Sequence, residues 1–195
     1  MGRVQFDLFG EAPADAMPDG FAYRPELITR AEEAALVERL AALALQPFEF
    51  QGHLGKRRVA SFGWRYRFGA GGLQQAEPLP DWLTPLRDRA ASFGGVEPEA
   101  FVHALVTEYE PGAGIGWHRD RPEFGDVVGV SLASPCVVRF RRRVGKGWAR
   151  RSFTAEPRSA YLLTGKAREE WQHGIAAVDA LRYSITFRTL RAPVP

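Results

Sequence analysis

The residues that could carry chemistry centre on a His-x-Asp sequence in the middle of the chain. His118 and Asp120 close the segment Tyr109–Asp120, which contains Pro and several Gly. In an extended chain, side chains two residues apart point to the same side, so this imidazole and carboxylate would be neighbours. They supply two ligands of a facial metal site, and His173 is the candidate third. Two histidines and one carboxylate suit a non-haem Fe(II) oxygenase.

Taken alone, a His-x-Asp pair is more often a surface hydrogen bond than a ligand set. The end of the chain favours the ligand interpretation, because an alternating strand is predicted after His173. One face of that strand is polar and carries Arg182, Ser184, Thr186 and Arg188. Two arginines that face an interior need anionic partners, since burying an unpaired charge is very costly. A dicarboxylate cosubstrate would supply both anions.

Length and composition predict one soluble globular domain. The chain has 195 residues, of which 45% are hydrophobic and 25% charged, as in ordinary globular proteins. We find neither an apolar run of the ~20 residues that span a membrane nor a signal-peptide pattern. The single Cys136 excludes an internal disulfide and is interpreted as a buried hydrophobe. We therefore expect a monomeric, cytoplasmic protein.

Basic residues are clustered, although the net charge is only +3. One cluster occupies a predicted hairpin and comprises Arg139, Arg141, Arg142, Arg143, Lys146, Arg150 and Arg151. A second comprises Lys56, Arg57, Arg58, Arg65 and Arg67. Such clusters suit a polyanion such as a nucleic acid. A sheet edge protected by charge explains either cluster alone equally well.

The elements that must position these residues are predicted to be two helices and a run of short strands. The first helix begins with a capping box at Thr29 and Glu32, and the second begins near Asp81 or Thr84. Beyond residue 99, about eight short strands with turns between them are typical of a double-sheet jelly roll. Helices followed by strands predict an α+β fold in which the helices buttress one sheet.

We expect one domain over residues 1–195, with a surface arm over 1–26 and the jelly-roll core over 99–190. Between the helices, residues 48–72 are predicted to be extended, and within them Phe62, Trp64, Tyr66 and Phe68 alternate with Gly63, Arg65, Arg67 and Gly69. One interpretation is a hairpin that covers the core. The other is a lid whose rings stack on a nucleobase, which makes Trp64, Tyr66 and Arg65 candidate substrate-binding residues.

Three motifs follow one another in the second half of the chain. They are Tyr109-x-Pro111-Gly112, His118-x-Asp120 with the distal His173, and Arg182-Tyr183-x-x-Thr186-Phe187-Arg188. From about residue 50 onward, the chain thus resembles the AlkB-like family of Fe(II)- and 2-oxoglutarate-dependent dioxygenases. The resemblance implies a double-stranded β-helix with Fe(II) on the two histidines and the aspartate. It also implies that Arg182 and Tyr109 bind the distal carboxylate of 2-oxoglutarate, with Arg188 near the other carboxylate.

Two positions depart from the pattern of the family's repair enzymes. Thr107 stands where those enzymes commonly have Asn, but its hydroxyl can still donate a hydrogen bond, so we keep it with Ser184 among the candidate cosubstrate residues. Pro122 stands where they have an acidic residue in contact with the damaged base. Glu123 is next to it and becomes a candidate for that contact.

The resemblance implies oxidative demethylation of N-alkylated bases in DNA or RNA, with dioxygen and 2-oxoglutarate consumed and succinate, carbon dioxide and formaldehyde released. The basic clusters and the aromatic segment favour nucleic acid over a protein or small-molecule substrate. A metal-binding jelly roll without turnover is the remaining alternative. Retention of every cosubstrate residue favours an enzyme.

Overall fold

The structure is a computed structural model that describes residues 16–50, 53–67 and 72–191. Within these ranges the helices are α1 (Arg30–Ala41), α2 (Thr84–Gly94) and α3 (Gly165–Glu169). The strands are β1 (Phe21–Arg24), β2 (Gln46–Phe50), β3 (His53–Arg67), β4 (Gly72–Gln75), β5 (Phe101–Tyr109), β6 (Ile115–His118), β7 (Phe124–Leu132), β8 (Cys136–Val144), β9 (Gly147–Ala155), β10 (Ala160–Leu163), β11 (Gln172–Ile175) and β12 (Arg182–Leu190).

The strands form two antiparallel sheets that face each other. The major sheet has the order β1-β10-β7-β12-β5-β3-β2, with β4 paired to β3, and the minor sheet has the order β6-β11-β8-β9. One apolar cluster fills the space between the sheets and includes Tyr109, Phe140 and Tyr161. A second cluster joins the major sheet to α1 and α2. These layers confirm the predicted α+β jelly roll with buttressing helices.

Strand β12 shows why the sheet has two different faces. Tyr183, Ile185 and Phe187 are buried in the cluster beneath the helices. The alternate residues therefore point toward the minor sheet, as a period of two requires. Arg182 and Arg188 are among them and both are buried. The predicted polar interior face of this strand is confirmed.

Helix α1 begins at the predicted capping box. The backbone N–H of Glu32 donates to the Thr29 hydroxyl at 3.3 Å, and the Glu32 carboxylate accepts from the Thr29 backbone N–H at 2.8 Å. Leu36 and Leu40 then bury the apolar side of the helix. Helix α2 has Pro85 in its first turn and ends at Gly94, and the capping residue Gly95 has a φ of +68° that suits glycine.

The expected arm over residues 1–26 is wrong for its last part. Phe21–Arg24 form β1, which pairs with β10 at the edge of the major sheet. The Phe21 ring lies 5.7 Å from that of Phe140 and 4.8 Å from that of Phe153. These aromatic contacts tie the strand to the minor sheet, so it closes one side of the jelly roll. Residues 1–15 lie outside the described part of the chain.

The predicted lid over residues 48–72 is partly a component of the major sheet. Strand β3 pairs with β5 from Arg57 to Gly63 and with β4 from Trp64 onward. Phe62 is buried beneath the helices, so the covering-hairpin interpretation holds for this ring. The predicted alternation does not continue regularly from Phe62 to Trp64, because Gly63 between them has a φ of +80°. Residues 51–52 and 68–71, including Phe68, are outside the described ranges.

Two further findings concern the single cysteine and the character of the helices. Cys136 is buried, as expected, and burial raises the pKa of its thiol above the ordinary value. Among the described helices, none has the length and apolar character needed to cross a membrane.

Candidate functional site

The three candidate metal ligands meet at the edge of the minor sheet nearest the loop after β6. His118 and His173 are directly opposite each other on the paired strands β6 and β11, and their ring centroids are 4.3 Å apart. Asp120 lies two residues beyond the end of β6. Its Oδ2 is 3.4 Å from Nε2 of His173. The structure therefore brings together residues that are more than 50 positions apart in sequence.

Asp120 is held in place by Arg188, not by a continuing strand. Nε and Nη2 of Arg188 donate to Oδ1 of Asp120 at 2.8 and 2.7 Å. Burial acts to raise the pKa of Asp120, but the positive charge of Arg188 and the neighbouring histidines outweigh burial, and the pKa lies below its ordinary value. The carboxylate is consequently ionised at neutral pH.

The loop that follows Asp120 is fixed by a buried arginine of α3. Arg168 donates through Nε to the carbonyl of Gly125 at 3.0 Å, and through Nη2 to the carbonyls of Arg121 and Phe124 at 2.6 and 2.8 Å. Three carbonyls on one guanidinium leave the loop little freedom. Helix α3 was not predicted, and Arg168 was therefore missed.

The ionised Asp120, the neutral His173 and the hydrogen bond of His118 suit the binding of a divalent cation. Burial lowers the pKa of His173 to about 4, so its imidazole is neutral at pH 7. Nδ1 of His118 lies 3.0 Å from the carbonyl of Gly116. When the ring proton is on Nδ1, the lone pair of Nε2 is free to bind a metal ion. Two neutral imidazoles and one carboxylate are the forms in which these side chains bind metals.

The three candidate ligands contact one another in pairs, but their donor atoms do not surround one common point. Among the residues that the structure describes, no group of three or more His, Cys, Asp or Glu side chains is gathered tightly enough to hold a metal as it stands. Oδ1 of Asp120 is engaged by Arg188, and Oδ2 faces His173. The donor types still suit iron, because two imidazoles and one carboxylate leave coordination positions open.

A second cationic centre lies on β12 between the two sheets. Arg182 is completely buried, and its Nε and Nη2 lie 3.3 and 3.2 Å from the Ser131 hydroxyl. Its guanidinium carbon is 4.7 Å from the centre of the Tyr109 ring. Nη1 is buried without a hydrogen-bond partner in the described structure. A buried guanidinium with a free donor is costly, so this position is suited to a carboxylate ligand.

The other candidate cosubstrate residues share this face. Arg182 is opposite Tyr109 in the ladder of β12 and β5, and Ser184 is opposite Thr107. The Tyr109 hydroxyl lies 3.3 Å from the Ser184 hydroxyl. Thr107 is buried beside them. The structure thus gathers the predicted residues into one buried polar group between the sheets.

Sequence reasoning missed His103, which lies on β5 opposite Arg188. Its Nδ1 is 3.2 Å from Nη1 of Arg188, and its ring stacks on Phe124 with centroids 4.9 Å apart. Burial, followed by the charge of Arg188, lowers the pKa of His103 to about 3, so the ring is neutral and accepts from the guanidinium. His103 belongs to no motif. The period of two along β5 from Thr107 places it on the same face and could have found it.

The candidate substrate residues are less closely defined. Trp64 is half-buried on β3 where that strand pairs with β4. The side chains of Arg65 and Tyr66 are outside the described part of the structure. Glu123 lies in the loop after Asp120, and its Oε2 is buried without a hydrogen-bond partner among the described residues.

Two facing antiparallel sheets, with paired histidines and a carboxylate at one edge and a buried arginine between them, are the architecture of the jelly-roll oxygenases. The family model described as the 2OG-Fe(II) oxygenase superfamily matches residues 20–188. The chain belongs to this superfamily of oxidoreductases, and within it to the AlkB-like proteins.

Three curated relatives show this likeness. The Alkylated DNA repair protein ALKBH8 homolog of Arabidopsis thaliana is 29% identical over 88% of this chain and 56% of its own length. The tRNA (carboxymethyluridine(34)-5-O)-methyltransferase ALKBH8 of Mus musculus is 28% identical over 83% of this chain and 25% of its own. The Probable RNA/DNA demethylase ALKBH6 of Danio rerio is 32% identical over 65% and 52%. The chain thus spans between a quarter and just over half of these relatives.

Two solved structures share the fold. The structure of OsALKBH1 superposes with a TM-score of 0.68 at 15% identity, covering 90% of this chain and all of that one. An oxidoreductase of the 2OG-Fe(II) oxygenase family from Burkholderia pseudomallei gives a TM-score of 0.61 at 18% identity, covering 89% and 86%.

Proposed function

We propose that the domain is an Fe(II)- and 2-oxoglutarate-dependent dioxygenase that removes alkyl groups from nitrogen atoms of bases in DNA or RNA. The observation that supports it most is the pair of buried arginines on β12. Arg182 keeps a free donor between the sheets, and Arg188 binds the aspartate that contacts His173. A structural role for both arginines would not require the free donor of Arg182.

In this proposal, Fe(II) would be held by His118, Asp120 and His173. The metal would supply dioxygen activation coupled to decarboxylation of 2-oxoglutarate. The residues of the chain position the reactants. Arg188 keeps the aspartate ionised and oriented, and Arg168 fixes the loop after it.

The proposed 2-oxoglutarate site uses the polar group between the sheets. Nη1 of Arg182 donates to the distal carboxylate, while the Tyr109 ring covers the guanidinium and limits its alternative positions. Thr107 and Ser184 line the same face. Arg188 lies near the carboxylate next to the keto group. Burial of Arg182 strengthens its contact with the carboxylate, since water does not screen it.

The proposed reaction is balanced by two oxygen atoms of one dioxygen molecule. One oxygen enters succinate as carbon dioxide leaves 2-oxoglutarate, and the other enters the N-methyl group. The hydroxymethyl product breaks its carbon–nitrogen bond and releases formaldehyde. The proposed base contacts are Trp64, Tyr66, Arg65 and Glu123. The names of the fish and plant relatives refer to RNA/DNA demethylation and to alkylated DNA repair, which supports a nucleic-acid substrate.

The test has two stages. Purified protein is first incubated with Fe(II) and 2-oxoglutarate, and succinate is measured against the Asp120→Ala variant. Methylated oligonucleotides, both DNA and RNA, are then screened by mass spectrometry for a loss of 14 mass units per methyl group, the mass of the CH₂ removed. Iron-dependent succinate formation without demethylation of any oligonucleotide would retain the dioxygenase and reject the nucleic-acid substrate. No succinate at all would reject both.

A further inference from the structure

The outer face of the minor sheet carries a line of arginine and tryptophan side chains that the catalytic proposal does not use. We name it the Arg/Trp strip, and it consists of Trp117, Arg139, Arg141, Arg143, Trp148 and Arg150. Arg141 is opposite Arg150 in the ladder of β8 and β9, and Arg143 is opposite Trp148, so these four share a face. Phe140 lies on the other face and is fully buried beside His173. The strip therefore faces away from the iron site.

Cation–π contacts hold the strip together. The guanidinium carbon of Arg141 lies 4.6 Å from the Trp117 ring centre and 4.4 Å from that of Trp148. Arg139 lies 5.1 Å from Trp117, and Arg143 lies 5.5 Å from Trp148. Distances below about 6 Å are those of attractive cation–π pairs. Two indoles and three guanidiniums are consequently fixed side by side on one surface.

The strip has no carboxylates to balance its charge. The hairpin from Cys136 to Ala155 contains six Arg and one Lys but no Asp or Glu, and neither do Ile115–His118 or Gln172–Ile175. Among the described residues of this hairpin, Arg142 alone forms an ion pair, with Glu170. Arg139 also has a buried Nε without a hydrogen-bond partner in the described structure. Four arginines of the strip thus present positive charge without an anionic partner from the described chain.

We propose that the Arg/Trp strip binds a single strand of nucleic acid. Its arginines suit phosphates, and its indoles offer flat surfaces on which unpaired bases can stack. A duplex would hide its bases from the indoles, and an acidic peptide would use the charges but leave the aromatic surface without a partner. Because the strip lies on the opposite face from His173, binding needs neither Fe(II) nor 2-oxoglutarate. This surface goes beyond the proposed base contacts at the iron site.

The test uses the complete protein without added iron and fluorescein-labelled, unmethylated 15-mers of thymidine or uridine. Anisotropy titrations at several salt concentrations should show binding that weakens steeply with salt, with a slope of about −0.7 per phosphate contact. The double variant Arg143→Ala/Arg150→Ala should bind about tenfold more weakly. Its slope should be shallower by about 1.4, since two contacts are lost.

The matched control removes the same charge elsewhere. Arg24 and Arg30 are exposed on β1 and at the start of α1, and Arg24→Ala/Arg30→Ala should bind within about twofold of the parent protein. An equal loss in both double variants would overturn the strip, because net charge alone would then explain binding. So would unchanged binding in the Arg143/Arg150 variant.

Replacing one indole separates a nucleic acid from an acidic protein as the partner. Trp148→Ala should weaken oligonucleotide binding about tenfold, while Trp148→Phe should retain most of it because a ring remains for stacking. Melting temperatures of both variants show whether the hairpin is intact. Two results together would overturn a nucleic-acid surface. Poly-glutamate would compete as well as an unlabelled oligonucleotide, and neither Trp148→Phe nor Trp148→Ala would change the affinity for the 15-mers. His118→Ala should lose succinate formation but bind the 15-mers normally, so loss of catalysis and loss of this surface are distinguishable.

Discussion

Arg188 and Asp120 form a buried ion pair in which Nε and Nη2 of the arginine both reach the same carboxylate oxygen, at 2.8 and 2.7 Å. The third nitrogen, Nη1, lies 3.2 Å from Nδ1 of His103 on the neighbouring strand. One guanidinium therefore links the major sheet to the candidate iron ligand. Its position depends on both partners, and this dependence gives two of the predictions below.

Replacing a member of the triad should abolish iron-dependent succinate formation. Asp120→Ala removes the carboxylate, and His173→Ala or His118→Ala removes an imidazole that the proposed metal needs. His118→Ala should leave the melting temperature nearly unchanged, because His118 is only partly buried. Asp120→Ala should also destabilise the fold by about 3–5 kcal/mol, since Arg188 loses its buried partner. Succinate production at the parent rate in any one variant would refute the assignment of that ligand.

Replacing Arg182 by Lys should weaken the binding of 2-oxoglutarate. A lysine carries the charge but not the planar fork, so the hydrogen bond from Nη1 is lost. A hydrogen bond to a charged group is worth about 2 kcal/mol, which corresponds to a roughly 30-fold higher KM for 2-oxoglutarate. Isothermal titration of the variant with 2-oxoglutarate gives the affinity directly. Unchanged affinity would show that the free nitrogen does not bind the cosubstrate.

His103 should act as a positioning residue for Arg188. His103→Leu removes the acceptor of Nη1 and leaves a buried charged donor without a partner, at a cost of about 1–3 kcal/mol in the free energy of unfolding. We expect a lower kcat with a smaller change in the KM for 2-oxoglutarate. His103→Gln retains an acceptor oxygen and should restore most of the kcat. Equal kcat values for the Leu and Gln variants would indicate that His103 only fills space.

The interior polar face of β12 could be predicted from sequence because a strand has a fixed period of two and a ladder of neighbours on both sides. That Arg182 and Tyr109 act together was implied by the family resemblance and not by this rule, and the two residues are opposite each other on β12 and β5. The capping box at Thr29 was equally readable, since three residues specify it. Local rules of this kind need no knowledge of the rest of the fold.

The failures have one physical cause, which is that tertiary contacts set the local backbone. Gly63 adopts a φ of +80° next to the carbonyl of Val102, where a Cβ would lie 2.0 Å from that oxygen. The alternation predicted from Phe62 to Phe68 therefore breaks in a way that the pattern does not show. Asp120 similarly lies beyond the end of its strand, and Arg188 and Arg168 supply the order that alternation was expected to give.

The stability of the protein should depend on pH through Glu32 between about pH 4.5 and 2. The backbone N–H of Thr29, the side chain of Arg89 and the Thr29 hydroxyl lower the pKa of Glu32 from 4.5 to about 2. A carboxyl whose pKa is lowered by folding stabilises the protein fully above its unfolded pKa, and the contribution is lost as the pH falls through the folded value. The effect should be modest because the pair with Arg89 is partly exposed. Urea titrations of Glu32→Gln should show a weaker loss of stability over this range than the parent, whereas Glu38→Gln should follow the parent curve.

The role of Trp64 can be decided by comparing it with Phe62, two residues earlier on the same strand. Phe62 is buried beneath the helices, so Phe62→Ala should cost about 3–5 kcal/mol in the free energy of unfolding. Trp64 is half-buried beyond the interruption at Gly63. If it stacks on a flipped base, Trp64→Ala should raise the KM for a methylated oligonucleotide about tenfold, as expected for the loss of one stacking contact. Substrate-free decarboxylation of 2-oxoglutarate should remain close to the parent rate, because the proposed cosubstrate residues are on other strands. The free energy of unfolding and the KM for the oligonucleotide are measured for both Phe62→Ala and Trp64→Ala. A Trp64→Ala protein that loses stability like Phe62→Ala, without a selective change in KM for the oligonucleotide, would place Trp64 in the packed hairpin and remove it from the proposed base contacts.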